Sequence, residues 1–487
     1  MRSVRFFFLF VSSLLLGASA LAQYPNSLDE ARGVFDQLPV LVTFNLPENH
    51  DGGIDEPLGD STDARIAWQL SVLERALGVS ASELRSPTSQ GSRLRRSYRN
   101  LPVVSMQLTA EQIDALLADP AVASVDLDRV DPPNSNNTIP LIGAAALHSQ
   151  SITGAGTAVV ILDTGVDHEH PMFAGRIIES LCFSTNAAGQ STSFCPGGVE
   201  EDTTTPDAGD DCAYSGDTVD TPVSGCGHGT HVAGIAAGAE FADPASGDLL
   251  IGVAPEADII AANVFSRFTD LCGTFNLSSP CTLSYNSDQL AALDWLYTNR
   301  ADFNIASINM SLGGGSNSDY CNDDVRFTLI AQHRTAGAAT TIASGNSGNN
   351  SAVGAPGCIG PAVTVGATTD GDMVAGFSNS AFMVDLLAPG VDINSAEPTI
   401  DDTPPGRARS ISGTSMATPH VAGAFALLKS ADPTASVSQI ETALKITGVD
   451  VTEQPSGLVR PRIQIDAAFD VLDMIVSLDR VFLNDFE

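Results

Sequence analysis

The hydrophobic pattern changes character twice along the chain. At the start, Arg2 and Arg5 precede an apolar run over residues 6–17, and the small residues Ala18-Ser19-Ala20-Leu21-Ala22 follow. Basic residues, about a dozen apolar positions and then small side chains are the make-up of a secretion signal, with cleavage expected after Ala22. An uncleaved membrane anchor is the weaker reading, because roughly 20 apolar residues are needed to span a bilayer. No later segment carries such a run, so the mature chain is expected to be soluble and free of the membrane.

Between 23 and about 137, strand and helix periods alternate. Residues 40–46 read as a strand, 64–77 as an amphipathic helix and 101–108 as a second strand. Thr109 and Gln112 form a capping box that opens a helix to Ala118, and 122–127 completes a β-α-β-α-β pattern. Such a pattern builds a small α/β sandwich. Beyond the polar linker 131–137, short apolar runs at 158–162, 259–264, 305–310, 339–343 and 362–365 alternate with helical spacing at 229–238, 287–300 and 325–336. That alternation predicts a mostly parallel sheet covered on both faces, a three-layer α/β domain. Two last helices are expected around 440–444 and 462–472. The organisation read from these patterns is a signal peptide over 1–22, a small domain over 23–134 and a large one over 135–487.

Composition narrows the function. The 487 residues are 43% hydrophobic, enough for one or two large cores, which excludes a fibrous or mainly disordered chain. Against 58 acidic residues stand only 23 lysines and arginines, a formal net charge of -35. Such a chain repels phosphate backbones and anionic lipid, so no nucleic-acid partner is expected. Four of the few basic residues, Arg93, Arg95, Arg96 and Arg99, cluster in the small domain. The acidic stretch 200–211 is expected as an exposed loop.

All eight cysteines, Cys182, Cys195, Cys212, Cys226, Cys272, Cys281, Cys321 and Cys358, lie in the large domain. An even number in an exported chain indicates disulfides, and sequence leaves their pairing open. Pairing in sequence order is preferred because it closes short loops, and no pair has the spacing of a zinc finger or ribbon.

Three polar residues stand where a parallel sheet gathers functional groups. Asp163 ends the apolar run Ala158-Val-Val-Ile-Leu162, His228 opens the helical stretch Gly227-His-Gly-Thr-His231, and Ser415 lies in the first turn of the helix begun by Gly413-Thr-Ser-Met. Each alone reads as a turn former or a helix cap. Together they supply the nucleophile, base and orienting carboxylate of acyl transfer.

The blocks Asp163-Thr-Gly, His228-Gly-Thr-His-Val-Ala-Gly and Gly413-Thr-Ser415-Met-Ala-Thr-Pro-His resemble the signatures of subtilisin-like serine proteases, in the same Asp, His, Ser order. The resemblance spans about 140–470. It implies that Ser415 is the nucleophile, His228 the general acid and base, and Asp163 its partner. Ile342-Ala-Ser-Gly-Asn346 resembles the segment whose Asn donates to the oxyanion. Ser311, Leu312 and Gly313 resemble the edge that pairs with an extended substrate, and Ala343, Ser344, Gly345 and Gly354 the walls of the pocket before the scissile bond. Glycine at 354 predicts a pocket open to a sizeable apolar or aromatic side chain; a preference for basic residues, set by the acidic loop 200–211, is the alternative. His231 and His420 are expected to be structural.

Where many relatives carry a calcium-binding Asp, this chain has His170-Pro171-Met172, a poor ligand set for a hard cation. No cofactor is implied for the chemistry, no metal ligands are assigned, and structural calcium elsewhere is left open. Residues 108–125 resemble the propeptide inhibitor of secreted subtilases. A self-processing zymogen cut between Val130 and Thr138, acting on polypeptides as a monomer outside the cell or in a periplasm, is the resulting expectation. Two alternative readings exist. A subtilase fold without activity is disfavoured because all four catalytic positions are filled. A nucleotide-binding protein is disfavoured because Gly154-Ala-Gly156 precedes its strand and no Walker-type loop exists.

Overall fold

The computed structural model describes residues 37–45, 62–85, 93–97, 102–127, 138–214, 223–275, 277–398, 406–453 and 456–484. They form two compact units that divide at Pro132 and Pro133. The expected signal and linker lie outside the described residues.

In the first unit, β1 (Leu38–Phe44), α1 (Thr62–Leu77), β2 (Arg93–Ser97), β3 (Val103–Leu108), α2 (Ala110–Leu117) and β4 (Val122–Leu127) form an antiparallel sheet in the order β2-β3-β1-β4, with helices beside it. Buried and half-buried residues alternate along β1, so one face is covered. That face joins Leu73 of α1 and Ile113 and Leu116 of α2 in a single core. The capping box is present: the Thr109 N–H donates to Gln112 Oε1 at 2.9 Å, and the Gln112 N–H donates back to Thr109 Oγ1. Strand β2 was not expected. Its arginines conceal a strand whose Leu94 packs on the core, and a charged edge discourages pairing with another chain.

The second unit is built on β5 (Ala158–Asp163), β6 (Ile177–Phe183), α3 (His228–Ala237), β7 (Asp258–Asn263), α4 (Asn286–Thr298), β8 (Ile305–Met310), α5 (Phe327–Thr335), β9 (Ala339–Ala343), β10 (Val363–Thr368), β11 (Leu386–Pro389), α6 (Thr414–Ala431), α7 (Val437–Thr447), β12 (Val459–Arg462) and α8 (Ile465–Asn484). The strands pair in parallel in the order β12-β11-β10-β9-β8-β5-β7-β6, and a short antiparallel strand closes each edge.

Every residue of β5 is buried, because helices cover both faces. Val159 and Ile161 pack with Val232 of α3 and Val421 of α6, while Val160 and Leu162 pack with Leu293 of α4 and Ile330 of α5. The fold is therefore a three-layer α/β architecture.

One expected helix is displaced. Arg462 ends β12 and is not helical; its guanidinium is buried on Asp372 at 2.8 Å and on the Leu141 carbonyl at 2.9 Å, so the last helix begins at Ile465. Disulfides join Cys182 to Cys195, Cys212 to Cys226, Cys272 to Cys281 and Cys321 to Cys358. Among the described residues no helix is long and apolar enough to cross a membrane.

Candidate active site

Strand β5 is flanked by β7 on one side and β8 on the other: the chain passes from β5 to β6 on the β7 side, and later crosses from β7 to β8 on the opposite side. Such a switch point opens a crevice beyond the carboxyl ends of the strands. Asp163 is the last residue of β5 and is fully buried. Its Oδ1 accepts the Thr164 N–H and His228 Nδ1–H, each at 2.8 Å.

His228 begins α3 after Gly227, whose φ of 83° is the left-handed conformation that suits glycine. The next residue is glycine for a different reason. A Cβ on Gly229 would lie 2.2 Å from the Gly165 carbonyl oxygen and 3.1 Å from the Asp163 Cβ, so the helix start and the Asp163 turn are in direct backbone contact. The Gly229 N–H donates to Thr164 Oγ1 at 2.9 Å and closes that contact.

Burial disfavours the charged His228 ring, but the charge and hydrogen bond of Asp163 outweigh it, helped by Asp211 and opposed by Arg409. The His228 pKa consequently lies above its ordinary value.

Asp211 belongs to the acidic stretch expected as an exposed loop, but in the structure it is buried. Its buried Oδ1 accepts the N–H of Gly227 and of Ala213, each at 2.9 Å, and Oδ2 accepts the Thr230 hydroxyl at 2.6 Å. Burial still pushes its pKa up to about 6. The Cys212–Cys226 bridge joins the neighbours of the two bonded residues Asp211 and Gly227, and so braces the start of the His228 helix.

Ser415 is the second residue of α6, and four residues later comes Pro419. Proline has no N–H for the Ser415 carbonyl. Ser311, just beyond β8, replaces it: its Oγ donates to that carbonyl at 2.8 Å, while Ser415 Oγ donates to the Ser311 carbonyl at 3.2 Å. The Ser415 hydroxyl is thus bonded to the Ser311 carbonyl and not to His228.

Asn346 follows β9 on an exposed loop. Its Oδ1 accepts the Thr414 N–H at 2.8 Å and the Thr414 hydroxyl at 2.9 Å, which turns the Nδ2 donors away from Thr414.

His228, Ser415 and Asn346 line one groove of about 550 Å³. Ser311, Leu312 and Gly313 line it where they leave β8, and Ala343, Gly345 and Gly354 where β9 ends. Ser344 is not among the lining residues; it is buried, and its Oγ donates to the Asn379 carbonyl at 2.9 Å. A Cβ on Gly354 would come within 3.3 Å of the Gly314 nitrogen, so backbone forms the wall there.

Sequence reasoning missed another part of the lining. Phe275, Leu277 and Leu283 lie in or beside the loop closed by Cys272 and Cys281, and Phe275 is 55% exposed. Apolar residues between two cysteines were the available signal.

The remaining motif histidines are structural in their contacts. His231 Nε2 donates to the Ile393 and Arg409 carbonyls, and His420 Nδ1 to the Met416 carbonyl. Burial lowers their pKa values to about 3 and about 4. At the doubtful calcium position, Met172 is buried in the apolar core and His170 is held by the Arg407 carbonyl at 2.9 Å. These residues do not fit a hard cation. Asp211 also lies near Cys212 and Cys226, but the disulfide leaves no thiolate to bind a metal.

A model of the subtilase family matches residues 154–460, and a model of the peptidase inhibitor I9 family matches 41–130. An extracellular serine proteinase of Thermus sp. (strain Rt41A) is 30% identical over 410 residues, covering 80% of this chain and 82% of that protein. Subtilisin E of Bacillus subtilis (strain 168) is 30% identical over 366 residues, covering 74% and 79%. An alkaline protease of Shouchella clausii is 32% identical over 362 residues, covering 74% and 77%. A solved cold-adapted subtilisin-like serine proteinase is 25% identical with a TM-score of 0.44, covering 69% of this chain and 92% of that one.

Proposed function

Because the chain belongs to the subtilase family of serine endopeptidases, we propose that it hydrolyses polypeptides through an acyl-enzyme at Ser415 and is exported as a self-processing zymogen. The observation that carries the chemistry is the 2.8 Å bond from His228 to buried Asp163 at the groove lined by Ser415 and Asn346.

An extended peptide pairs with the backbone of 311–313. Rotation about the Ser415 Cα–Cβ bond then releases Oγ from the Ser311 carbonyl and directs it to His228 Nε2; such contacts tighten when substrate is bound. Oγ attacks the scissile carbonyl carbon as its proton passes to Nε2, and Asp163 stabilises the imidazolium. The developing oxyanion receives Asn346 Nδ2–H and the Ser415 N–H, which lies in a first helical turn where the helix offers no acceptor. His228 returns the proton to the leaving amine, and water repeats the sequence to free the acid. Each role falls to a side chain or a backbone group, and catalysis in this family needs no cofactor.

Among the described lining residues His228 is the one titratable side chain. A basic substrate residue therefore finds no counter-charge in the groove, which supports preference for a sizeable apolar residue before the scissile bond. The inhibitor I9 match supports an intramolecular inhibitor over about 23–134, cut between Val130 and Thr138. The N-terminal apolar run and four disulfides support export to an oxidising compartment, outside the cell or in a periplasm, where the enzyme acts as a monomer.

Expression of the full chain beside Ser415→Ala tests the reading. Wild type should lose its N-terminal domain and digest casein, with the new N-terminus read by mass spectrometry, while Ser415→Ala stays whole and inert. Identical maturation of both would refute self-processing, and casein digestion by Ser415→Ala would refute the nucleophile.

A further inference from the structure

The loop that carries Asn346 has no helix or strand of its own to hold it. Residues 344–349, Ser-Gly-Asn-Ser-Gly-Asn, are irregular, and Asn346 itself is exposed at their centre. Thr414 orients the Asn346 amide and takes only one weak bond from the backbone on which it stands, the Gly345 N–H donating to Thr414 Oγ1 at 3.3 Å.

At the far end of the loop the Gly348 N–H donates to the Phe377 carbonyl and the Ser380 N–H to the Asn349 carbonyl, each at 2.7 Å, but most of the side-chain bonds to this backbone come from one buried residue of a distant segment. Asn379 is 4% exposed and reaches the edge of the groove. Its Oδ1 accepts two N–H groups of the loop, from Ser347 at 3.1 Å and Asn349 at 3.0 Å. Its Nδ2 donates to the Ser344 carbonyl at 3.1 Å, and its backbone N–H donates to the Gly345 carbonyl at 2.8 Å. Its carbonyl receives the Ser344 hydroxyl at 2.9 Å. These bonds grip the loop on both sides of Asn346 and leave the Asn346 side chain to Thr414. The fit is close: a Cβ on Gly345, where φ is 106°, would lie 2.4 Å from Asn379 Nδ2.

We propose that Asn379 is a positioning residue for catalysis, holding the 344–349 loop so that Asn346 Nδ2 meets the oxyanion at hydrogen-bond distance. This rests on the assignment of Asn346 as an oxyanion donor. The chemistry follows from what an oxyanion donor must do. Its contribution depends on being in place before charge develops, so a loop free to shift by about 1 Å loses much of the benefit. A side-chain amide suits the task because it offers an acceptor and donors in one plane, matching backbone N–H groups and a carbonyl together. No aliphatic or acidic residue of that size does both.

The test is a double-mutant cycle on the matured enzyme, with variants matured where needed by immobilised wild-type protease. Wild type, Asn379→Ala, Asn346→Ala and the double variant are assayed on a tetrapeptide p-nitroanilide ending in phenylalanine, with active sites titrated by a sulfonyl fluoride. In a subtilisin, loss of such a donor lowers kcat by roughly 10²–10³. Asn346→Ala should fall by a similar factor. Asn379→Ala should lower kcat about 30-fold with KM within threefold, and the double variant should match Asn346→Ala within threefold. Asn379→Asp keeps the acceptor for Ser347 and Asn349 but turns a carboxylate oxygen toward the Ser344 carbonyl in place of the donor, and should retain about a tenth of wild-type kcat; it also serves if Asn379→Ala does not fold.

A loss carried by KM, or one that multiplies in full with Asn346→Ala, would overturn the inference and leave the oxyanion assignment standing. An Asn346→Ala variant with unchanged kcat would instead remove that assignment and this inference with it.

Discussion

Replacing Gly229 by alanine perturbs the candidate triad without touching any of its members. Alanine is the better helix former by about 1 kcal/mol, so by propensity alone α3 should gain. The added methyl, however, would lie 2.2 Å from the Gly165 carbonyl oxygen. Carbon and oxygen tolerate an approach of about 3.3 Å, so the helix start and the Asp163 turn must separate by about 1 Å. Carried along the line between them, that shift stretches the 2.8 Å His228–Asp163 bond to nearly 3.9 Å, beyond hydrogen-bond range. The expected result is a kcat about 100-fold lower with KM little changed, since a 1 Å misplacement costs on that order. The acid limb of the pH profile should also move down, because Asp163 no longer holds the His228 pKa up. The assay is steady-state hydrolysis of a peptide p-nitroanilide per titrated active site, from pH 5 to 10. A kcat within threefold of wild type would show that the backbone contact does not set the His228–Asp163 geometry.

Three further outcomes follow from the same structure. The base works as neutral imidazole, so activity falls as pH drops through the His228 pKa; Arg409→Gln removes a charge that lowers that pKa, and should shift the acid limb to higher pH while leaving rates above pH 9 unchanged. Movement of the limb to lower pH would contradict this. Replacing Cys272 and Cys281 together by alanine frees the loop bearing Phe275, which should destabilise denaturant unfolding by about 2–3 kcal/mol and raise KM for long peptides more than for short ones; equal KM effects on both would exclude the loop from substrate contact. Gly354→Ala presses on the Gly314 backbone at 3.3 Å, and should lower kcat/KM for phenylalanine about tenfold against alanine before the scissile bond, read by paired substrates.

Much of the second unit was legible because its strands are apolar on both faces; 305–310 and 339–343 match β8 and β9 to the residue. The candidate triad was legible because Asp, His and Ser each sit in a block of small residues that lets backbone approach closely, as Gly229 illustrates. Edge strands were not. Arginines hid β2, and Arg462 lies in a strand because its guanidinium finds buried partners that are remote in sequence. The supporting residues were equally hidden. Asp211 and Asn379 act on backbone groups of segments distant in the chain, and neither periodicity nor a local motif records such bonds. Ser344 shows the converse: it sits within a signature segment, yet its side chain faces Asn379 and not the groove.

The reciprocal bonds between Ser311 and Ser415 mean that an imperfection in one element is repaired by another. Pro419 breaks the ladder of α6 beneath Ser415, and a serine on a neighbouring strand end fills the gap. The two positions are consequently tied in inheritance. Losing the Ser311 hydroxyl alone leaves a carbonyl without its donor, and replacing Pro419 alone supplies a rival donor that loosens Ser415 from the strand. Among descendants of this chain, changes at 311 and 419 should appear as pairs, and a helix transplanted into another scaffold needs its serine to travel with it.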